Sequence, residues 1–235
     1  MTDAANPHVS YHPVEHHPPV EEYLQAIESL NEEGTPAIQA RIAERLGRSA
    51  PTVSEMLDRL ATDGYVERAG RTITLTEQGQ DVAQTVLRKH RLAERLLVDV
   101  IGLPWHLVHD EAGRWEHVIS DEVMTRLTQI LGDPATCPHG NPIPGSANHV
   151  ESPSSQVALA EIGAGQEVRF ERLGEEVELD GTTLRYLDDA GFIPGATATV
   201  TNKGPDGTLL LDADGTTLVL GADLCQRLYV VVQEP

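Results

Sequence analysis

From Val20 the apolar positions recur at helical spacing. In VEEYLQAIESLNEEG, Tyr23, Leu24, Ile27 and Leu30 share a face, and Gly34 stops the run. Ile38, Ile42, Ala43 and Leu46 form the next stripe, ended by Gly47. Ser49 then stands as a helix cap with Pro51 in the first turn, ahead of a stripe of Val53, Met56, Leu57 and Leu60 that ends at Gly64. The period then falls to two: YVERAGRTITLT predicts a hairpin about Ala69-Gly70. Helix, short turn, helix and hairpin make a winged helix-turn-helix, assigned to residues 20–75.

Beyond the wing, TEQGQDVAQTVLRKHRLAERLLVDVIGL predicts a long helix with Val82, Val86, Leu92 and Leu96 among its apolar positions. A shorter helix is expected from about Trp105 to Ile119, and Ser120 caps a third, DEVMTRLTQIL. These fill a helical dimerisation and metal-binding region, 76–145. Residues 133–157 are dense in Pro, Gly, Asn and Ser and predict a long loop, with the linker proper at 146–157. VALAEI, EVRFERL, ATATVTN, TLLLDA, TTLVLG and YVVVQ then read as short strands interrupted by the helix TTLRYLDDAG. The fold class is mainly α with a small β domain, an SH3-like barrel over 158–235.

Charge refines this picture. The formal net charge is −20, which taken whole argues against nucleic acid. Residues 35–75, however, carry six arginines against five acids, so the expected reading head is spared the acidity of the two ends. Its DNA-facing candidates are Ser49, Pro51, Thr52, Ser54 and Glu55 at the start of the second helix. Arg59 and Arg71 are placed for phosphates. Cys137 and Cys225 are the only cysteines, so no disulfide scaffold is expected; with no apolar leader or membrane-length run, a cytoplasmic protein is. Residues 1–19 hold His8, His12, His16 and His17 among prolines and read as a flexible His-rich arm.

The chemistry concentrates in HDEAGRWEHVISDE. In a helix, His109, Gly113, Glu116 and His117 share one face, and upstream His90 and Glu94 stand at i, i+4. A solvated face, an acid/base pair and a set of metal ligands all fit that pattern. The nucleophile and phosphate-loop motifs HExxH, GxSxG and GxxxxGK are absent, which disfavours an enzyme. Imidazole with carboxylate and no thiolate suits intermediate divalent ions. A metal-dependent hydrolase, or a metal-buffering or protein-interaction module, is the alternative to a metal-sensing regulator.

The phrases ARIAERLGRSAPTVSEMLDRL, RKHRLAERLL, VHDEAGRWEHVISDEV and HGNPIPG occur in an order and at separations that resemble the diphtheria toxin repressor and iron-dependent regulator family, from about Val20 into the C-terminal domain. The resemblance implies a cytoplasmic homodimer that binds palindromic operator DNA when loaded with divalent metal. It implies two metal sites. An ancillary site maps onto His90, Glu94 and His109, with Glu175 and Glu178 from the β domain and an anion held by Arg91 and Asn141. A primary site maps onto Glu22, Gly113, Glu116 and His117. Glu22 replaces the methionine usual in iron sensors and Gly113 their cysteine, leaving only a carbonyl there; water, Asp110, His16 or His17 are the candidates to complete the set. This oxygen-rich set favours Mn(II) over Fe(II), with Co, Ni or Zn as substitutes in vitro. Glu55 stands where a relative has Gln, which implies a different operator.

Overall fold

The computed structural model describes residues 18–148 and 155–233. The His-rich arm lies outside them. Three apolar clusters organise the chain, and each is built by the stripes that the sequence displays.

The first cluster joins α1 (Pro18–Glu32), α2 (Gln39–Arg45), α3 (Ala50–Thr62) and the hairpin of β1 (Val66–Ala69) and β2 (Thr72–Leu75). Leu24, Ile27, Ile42, Val53, Leu57 and Leu60 are fully buried in it. Burying each such side chain is worth about 1.5–3 kcal/mol. Ser49 caps α3 by accepting from Thr52 N at 3.3 Å, so its capping role is realised. The hairpin pairs Val66 with Leu75 and Ala69 with Thr72, with Gly70 at φ +66° in its turn.

The second cluster is helical. α4 (Glu77–Arg95) starts where Thr76 accepts from Gly79 N at 3.1 Å. The chain continues as a π-helical turn, Leu96–Ile101, and ends at Gly102. The single helix expected from Trp105 to Ile119 is broken in two. A 3-10 turn, Trp105–Leu107, precedes α5 (Val108–Trp115), and Glu116 to Val118 close with a turn in which Val118 N donates to Trp115 O. α6 (Asp121–Ile130) begins at its Ser120 cap. The Pro/Gly-rich segment after it is not a free linker at first. Thr136 bridges Pro142, Cys137 N donates to Asn141 O at 2.8 Å, and Ile143 is buried in the helical core.

The third cluster is the β domain. An antiparallel sheet runs in the order β3 (Gln156–Ala158), β8 (Leu228–Val232), β4 (Glu167–Leu173), β5 (Thr197–Lys203), β6 (Leu209–Ala213), β7 (Thr216–Leu220). Among the described residues β3 and β7 remain edges, so the expected barrel is an open SH3-like sheet. β3 has only three residues, and bulges at Phe170/Arg172 and Val200/Asn202 bend the sheet without closing it. α7 (Glu175–Glu178), α8 (Gly181–Asp189, the helix expected from TTLRYLDDAG) and α9 (Ala222–Cys225) cover it.

The β domain is fastened to the helices. Trp105 belongs to the core cluster of the sheet, its Nε1 donates to Pro138 O at 2.9 Å, and His106 Nδ1 lies 2.6 Å from Asp188 Oδ2. Gly140 (φ +88°) passes so close that an added Cβ would stand 2.0 Å from Glu171 O. No helix among the described residues is long and apolar enough to cross a membrane.

Candidate metal centre

α4 presents His90 and Glu94 one turn apart, α5 adds His109, and the C-terminal end of α7 brings Glu178. His90 Nε2 lies 3.1 Å from Glu94 Oε1 and 3.1 Å from His109 Nδ1. His109 Nδ1 lies 3.3 Å from Glu94 Oε1 and 2.8 Å from Glu178 Oε2. Glu94 is fully buried, and its second oxygen, Oε2, has no partner. Ligands on one cation at bond lengths of about 2.0–2.2 Å sit roughly 3.0–3.5 Å apart. The four side chains therefore already have the spacing of a coordination shell, and a fully buried orphan carboxylate oxygen adds unspent donor capacity. The residues fit a divalent metal.

Without a cation, protons hold this cluster together. Burial opposes charge on His109, but the hydrogen bonds of Glu178 and Glu94 outweigh it and raise its pKa to about 9. Burial likewise works against His90, and the Glu94 charge and Glu116 contact carry it well above its ordinary value. Burial pushes Glu178 up, yet His139 and His109 bring it down to about 2. The signs fix a window. The raised His109 stabilises the fold fully below its ordinary 6.5 and loses that contribution as pH climbs through about 9. The lowered Glu178 contributes above its ordinary 4.5 and fails as pH falls through about 2. A metal must displace the imidazole protons. Apparent metal affinity is therefore expected to rise with pH by up to ~10-fold per pH unit for each proton released, and the His109 contribution ends near pH 9, where that ring becomes neutral. Proton release measured by calorimetry in buffers of different ionisation enthalpy checks this; a pH-independent affinity between pH 6.5 and 9 contradicts it.

Glu175 does not join the cluster. Its carboxylate accepts from Arg91 Nη2 at 2.6 Å, while Glu32 meets the same guanidinium at 2.6 and 3.1 Å. The positions expected to hold an anion are thus engaged by the chain's own carboxylates: Arg91 by Glu32 and Glu175, and Asn141 by Glu178, to which its Nδ2 donates at 2.6 Å. Arg91 is buried and also donates to Pro142 O, so α1, the loop and the β domain meet at one guanidinium.

The second cluster is centred on Glu116. Its Oε2 lies 2.5 Å from His90 Nδ1 and accepts from Gln25 at 3.2 Å, and its Oε1 lies 3.2 Å from His117 Nε2. The α1 residue on His117 is Glu21, with Oε2 2.6 Å from Nδ1. That hydrogen bond, against the opposing effect of burial, raises the pKa of His117. Glu22, the residue expected there, instead faces Arg48 at 3.8 Å and is 38% exposed. It still lines, with Gln25, Gly113, Glu116, His90 and His109, a cavity of about 170 Å³ between α1 and α5. Glu21, Cys137 and His139 are the polar residues that sequence reasoning passed over. His139 Nδ1 lies 3.1 Å from Glu94 Oε1, inside the segment read as a long loop. The one signal available was a Cys-x-His pair among prolines and glycines.

On the reading head, Ser49, Pro51, Thr52, Glu55 and Arg59 are exposed and Ser54 is half-buried. Arg71 is exposed at the wing turn. Arg59 lies 3.6 Å from Asp63. Ser49 Oγ and Thr52 Oγ1 share a hydrogen bond at 2.8 Å.

A reading head coupled through α1 to buried imidazoles and carboxylates on a helical platform defines a metal-responsive DNA-binding regulator. The comparisons make this specific. Residues 17–72 match the family described as iron dependent repressor, N-terminal DNA binding domain. Residues 76–145 match iron dependent repressor, metal binding and dimerisation domain, and residues 157–232 match the FeoA domain. The iron-dependent repressor IdeR of Mycobacterium tuberculosis is 47% identical over 201 residues, 81% of this chain and 87% of that one. The diphtheria toxin repressor of Corynebacterium diphtheriae is 40% identical over 217 residues, 89% and 95% of the two chains. Among solved structures, a manganese-dependent transcriptional repressor in complex with manganese superposes with a TM-score of 0.80 at 33% identity, over 91% of this chain and 100% of that one. The chain belongs to the iron-dependent repressor family. It is a metal-dependent DNA-binding transcriptional repressor and not an enzyme; its cofactor is divalent iron or manganese, and its partners are operator DNA and a second copy of itself.

Proposed function

We propose that this repressor senses Mn(II) in preference to Fe(II) and governs metal homeostasis from the cytoplasm, binding palindromic operators as a homodimer. The observation that carries the reading is the second cluster. Glu21, Glu22, Glu116 and His117, with the Gly113 carbonyl available, supply oxygen and imidazole and no sulfur, a hard set that suits Mn(II). The manganese-complexed neighbour supports the same choice.

When bound, a divalent ion supplies the positive charge that lets carboxylates of α1 and of the α5 end converge. The primary set we assign is Glu22, Gly113, Glu116 and His117. Glu21 holds the His117 ring before loading. The ancillary set is His90, Glu94, His109 and Glu178, while Glu175 and Glu32 lock Arg91. Leu24, Ile27 and Leu30 bury α1 in the core of the reading head, so fixing α1 on the platform fixes α3 as well. Two α3 helices must sit one helical turn, ~34 Å, apart to read a two-fold operator. Ser49, Pro51, Thr52, Ser54 and Glu55 face base edges in this reading, and Arg59 and Arg71 face phosphates. The exposed apolar residues Val100, Ile101, Leu107, Val118, Val123 and Ile130 all lie on the helical platform and supply the surface for the second copy. Keeping them in water would expose a large apolar patch.

The test is an anaerobic operator gel-shift titration, metal by metal. Mn(II) is expected to activate at lower free concentration than Fe(II). Glu22→Ala is expected to abolish metal-dependent binding and leave the dimer intact, whereas Glu21→Ala lowers the metal requirement by freeing His117. Unchanged metal dependence in Glu22→Ala refutes the assignment.

A further inference from the structure

Among the six arginines of residues 35–75, three are paired with carboxylates that take no part in either metal cluster. Arg45 meets Glu33 at 2.6 Å, Arg59 meets Asp63 at 3.6 Å and Arg68 meets Asp58 at 2.8 Å. Arg48 differs. Its Nη2 lies 3.8 Å from Glu22 Oε2, and Glu22 lines the cavity of Gln25, Gly113 and Glu116. Arg48 stands in the turn between α2 and α3. Its N donates to Ala43 O at 3.0 Å, which fixes the backbone, and the next residue is the Ser49 cap of α3. The side chain is 56% exposed. A guanidinium beside the N-terminal end of α3, the end assigned to base edges, stands where a helix entering the groove comes near the flanking phosphates.

We propose that Arg48 contacts a phosphate in the operator complex and that Glu22 masks it until the primary centre is filled. The inference deepens the function proposed above, since it rests on Glu22 as a primary ligand. While Glu22 faces Arg48, the pair is close to neutral and shows phosphate a repelling carboxylate. Drawn toward Glu116 and His117, the same carboxylate leaves the guanidinium, and the reading head gains an unmasked positive charge next to α3. An exposed pair at this distance adds little to stability, so it separates readily and serves as a reversible mask. The competition runs both ways. Arg48 holds back the carboxylate that the metal needs, so metal and phosphate each favour the state that the other requires. Glu33, Asp58 and Asp63 have no ligand role and keep their arginines in either state, which singles out Arg48 as the cation whose availability follows the metal.

Phosphate contact does not depend on base sequence, so a fluorescein-labelled duplex of random sequence is the probe, read by anisotropy across a KCl series with the full-length protein. Each phosphate contact adds about 0.9 to the slope of log affinity against log salt, hence about 1.8 for the two Arg48 side chains of a dimer. In chelator-treated protein, Glu22→Ala is expected to bind several-fold tighter than the unmodified chain at low salt, with the steeper slope. The double variant Glu22→Ala/Arg48→Ala is expected to lose both gains. Glu44→Gln removes the same charge from an exposed position on α2 and is expected to leave the slope unchanged. Equal slopes for Glu22→Ala and the unmodified chain overturn the proposal, as does a gain that survives Arg48→Ala. Mn(II) then separates the two readings. It is expected to steepen the slope of the unmodified chain and not that of Glu22→Ala. Mn(II) that steepens the unmodified and Arg48→Ala chains alike overturns Arg48 as the phosphate contact and leaves the Glu22 assignment standing. Mn(II) that still steepens the Glu22→Ala slope sinks Glu22 as a ligand, and with it the metal-driven unmasking.

Discussion

Replacing Glu116 by alanine is expected to abolish metal-activated operator binding, with a fall in apparent metal affinity on the order of 100-fold or more. Removing an outer-shell partner of a metal site typically costs ~10–100-fold, and Glu116 is more central than that. It contacts His90, His117 and Gln25, which come from α4, the turn after α5 and α1. Its loss takes one of two carboxylates from each imidazole, leaving His90 on Glu94 and His117 on Glu21, and removes the Gln25 contact between α1 and the platform. Dimer mass and far-ultraviolet circular dichroism are expected to stay unchanged, because the apolar clusters on both sides remain. A Glu116→Ala chain that binds operator at the same Mn(II) concentration as the unmodified protein would show that the second cluster does not control DNA binding. Glu116→Gln keeps the shape and one acceptor and is expected to fall between the two.

The second large effect concerns stability. Gly140→Ala is expected to cost about 3 kcal/mol or more, in the range reserved for strain and overpacking. Two penalties coincide. At φ +88° any L side chain is strained, and the new Cβ would stand 2.0 Å from Glu171 O and 2.7 Å from Arg172 Cα. Neither is the mobile end of a side chain, so the loop or the β domain must move. Gly102→Ala separates the two penalties. It has φ +78° with nothing within 4 Å, and is expected to cost only about 1–2 kcal/mol. Urea unfolding of both variants measures the difference. Equal costs would mean that the close approach of loop and β domain is absent in solution. Because His139 precedes Gly140, the same substitution is expected to weaken metal binding at Glu94.

The reading head was legible because its signals are local. Stripes at Ile42, Val53, Leu57 and Leu60, the Ser49 cap and the Ala69-Gly70 turn each act within a few residues. The β domain was legible as strands but not as an open sheet, since strand spacing does not say which edges meet. The break between Trp105 and Val108 was hidden because Trp105 answers to the β core and not to its own helix. At the cluster, the meeting of His90 with Glu94 follows from helical spacing, and the family resemblance put His109 and Glu178 beside them, where the structure also brings them together. The choice between Glu21 and Glu22 depends on the rotation of α1 over α5, which adjacent residues of like chemistry do not encode. The place of Glu175 apart from the imidazoles is not encoded either, since Arg91 offers it a nearer countercharge than they do. His139 was missed because a Pro/Gly-rich stretch reads as solvent-exposed, whereas Gly140 and the Thr136–Pro142 bridge fold it inward.

The Glu116 side chain divides its two oxygens between neighbouring imidazoles, one per cluster. Any ion that captures one oxygen alters the electron density and aim of the other, so filling the first centre changes what the second can hold. Two centres that share a carboxylate are coupled, and a two-ion titration reads the sign of that coupling from whether the first ion raises or lowers the affinity for the second.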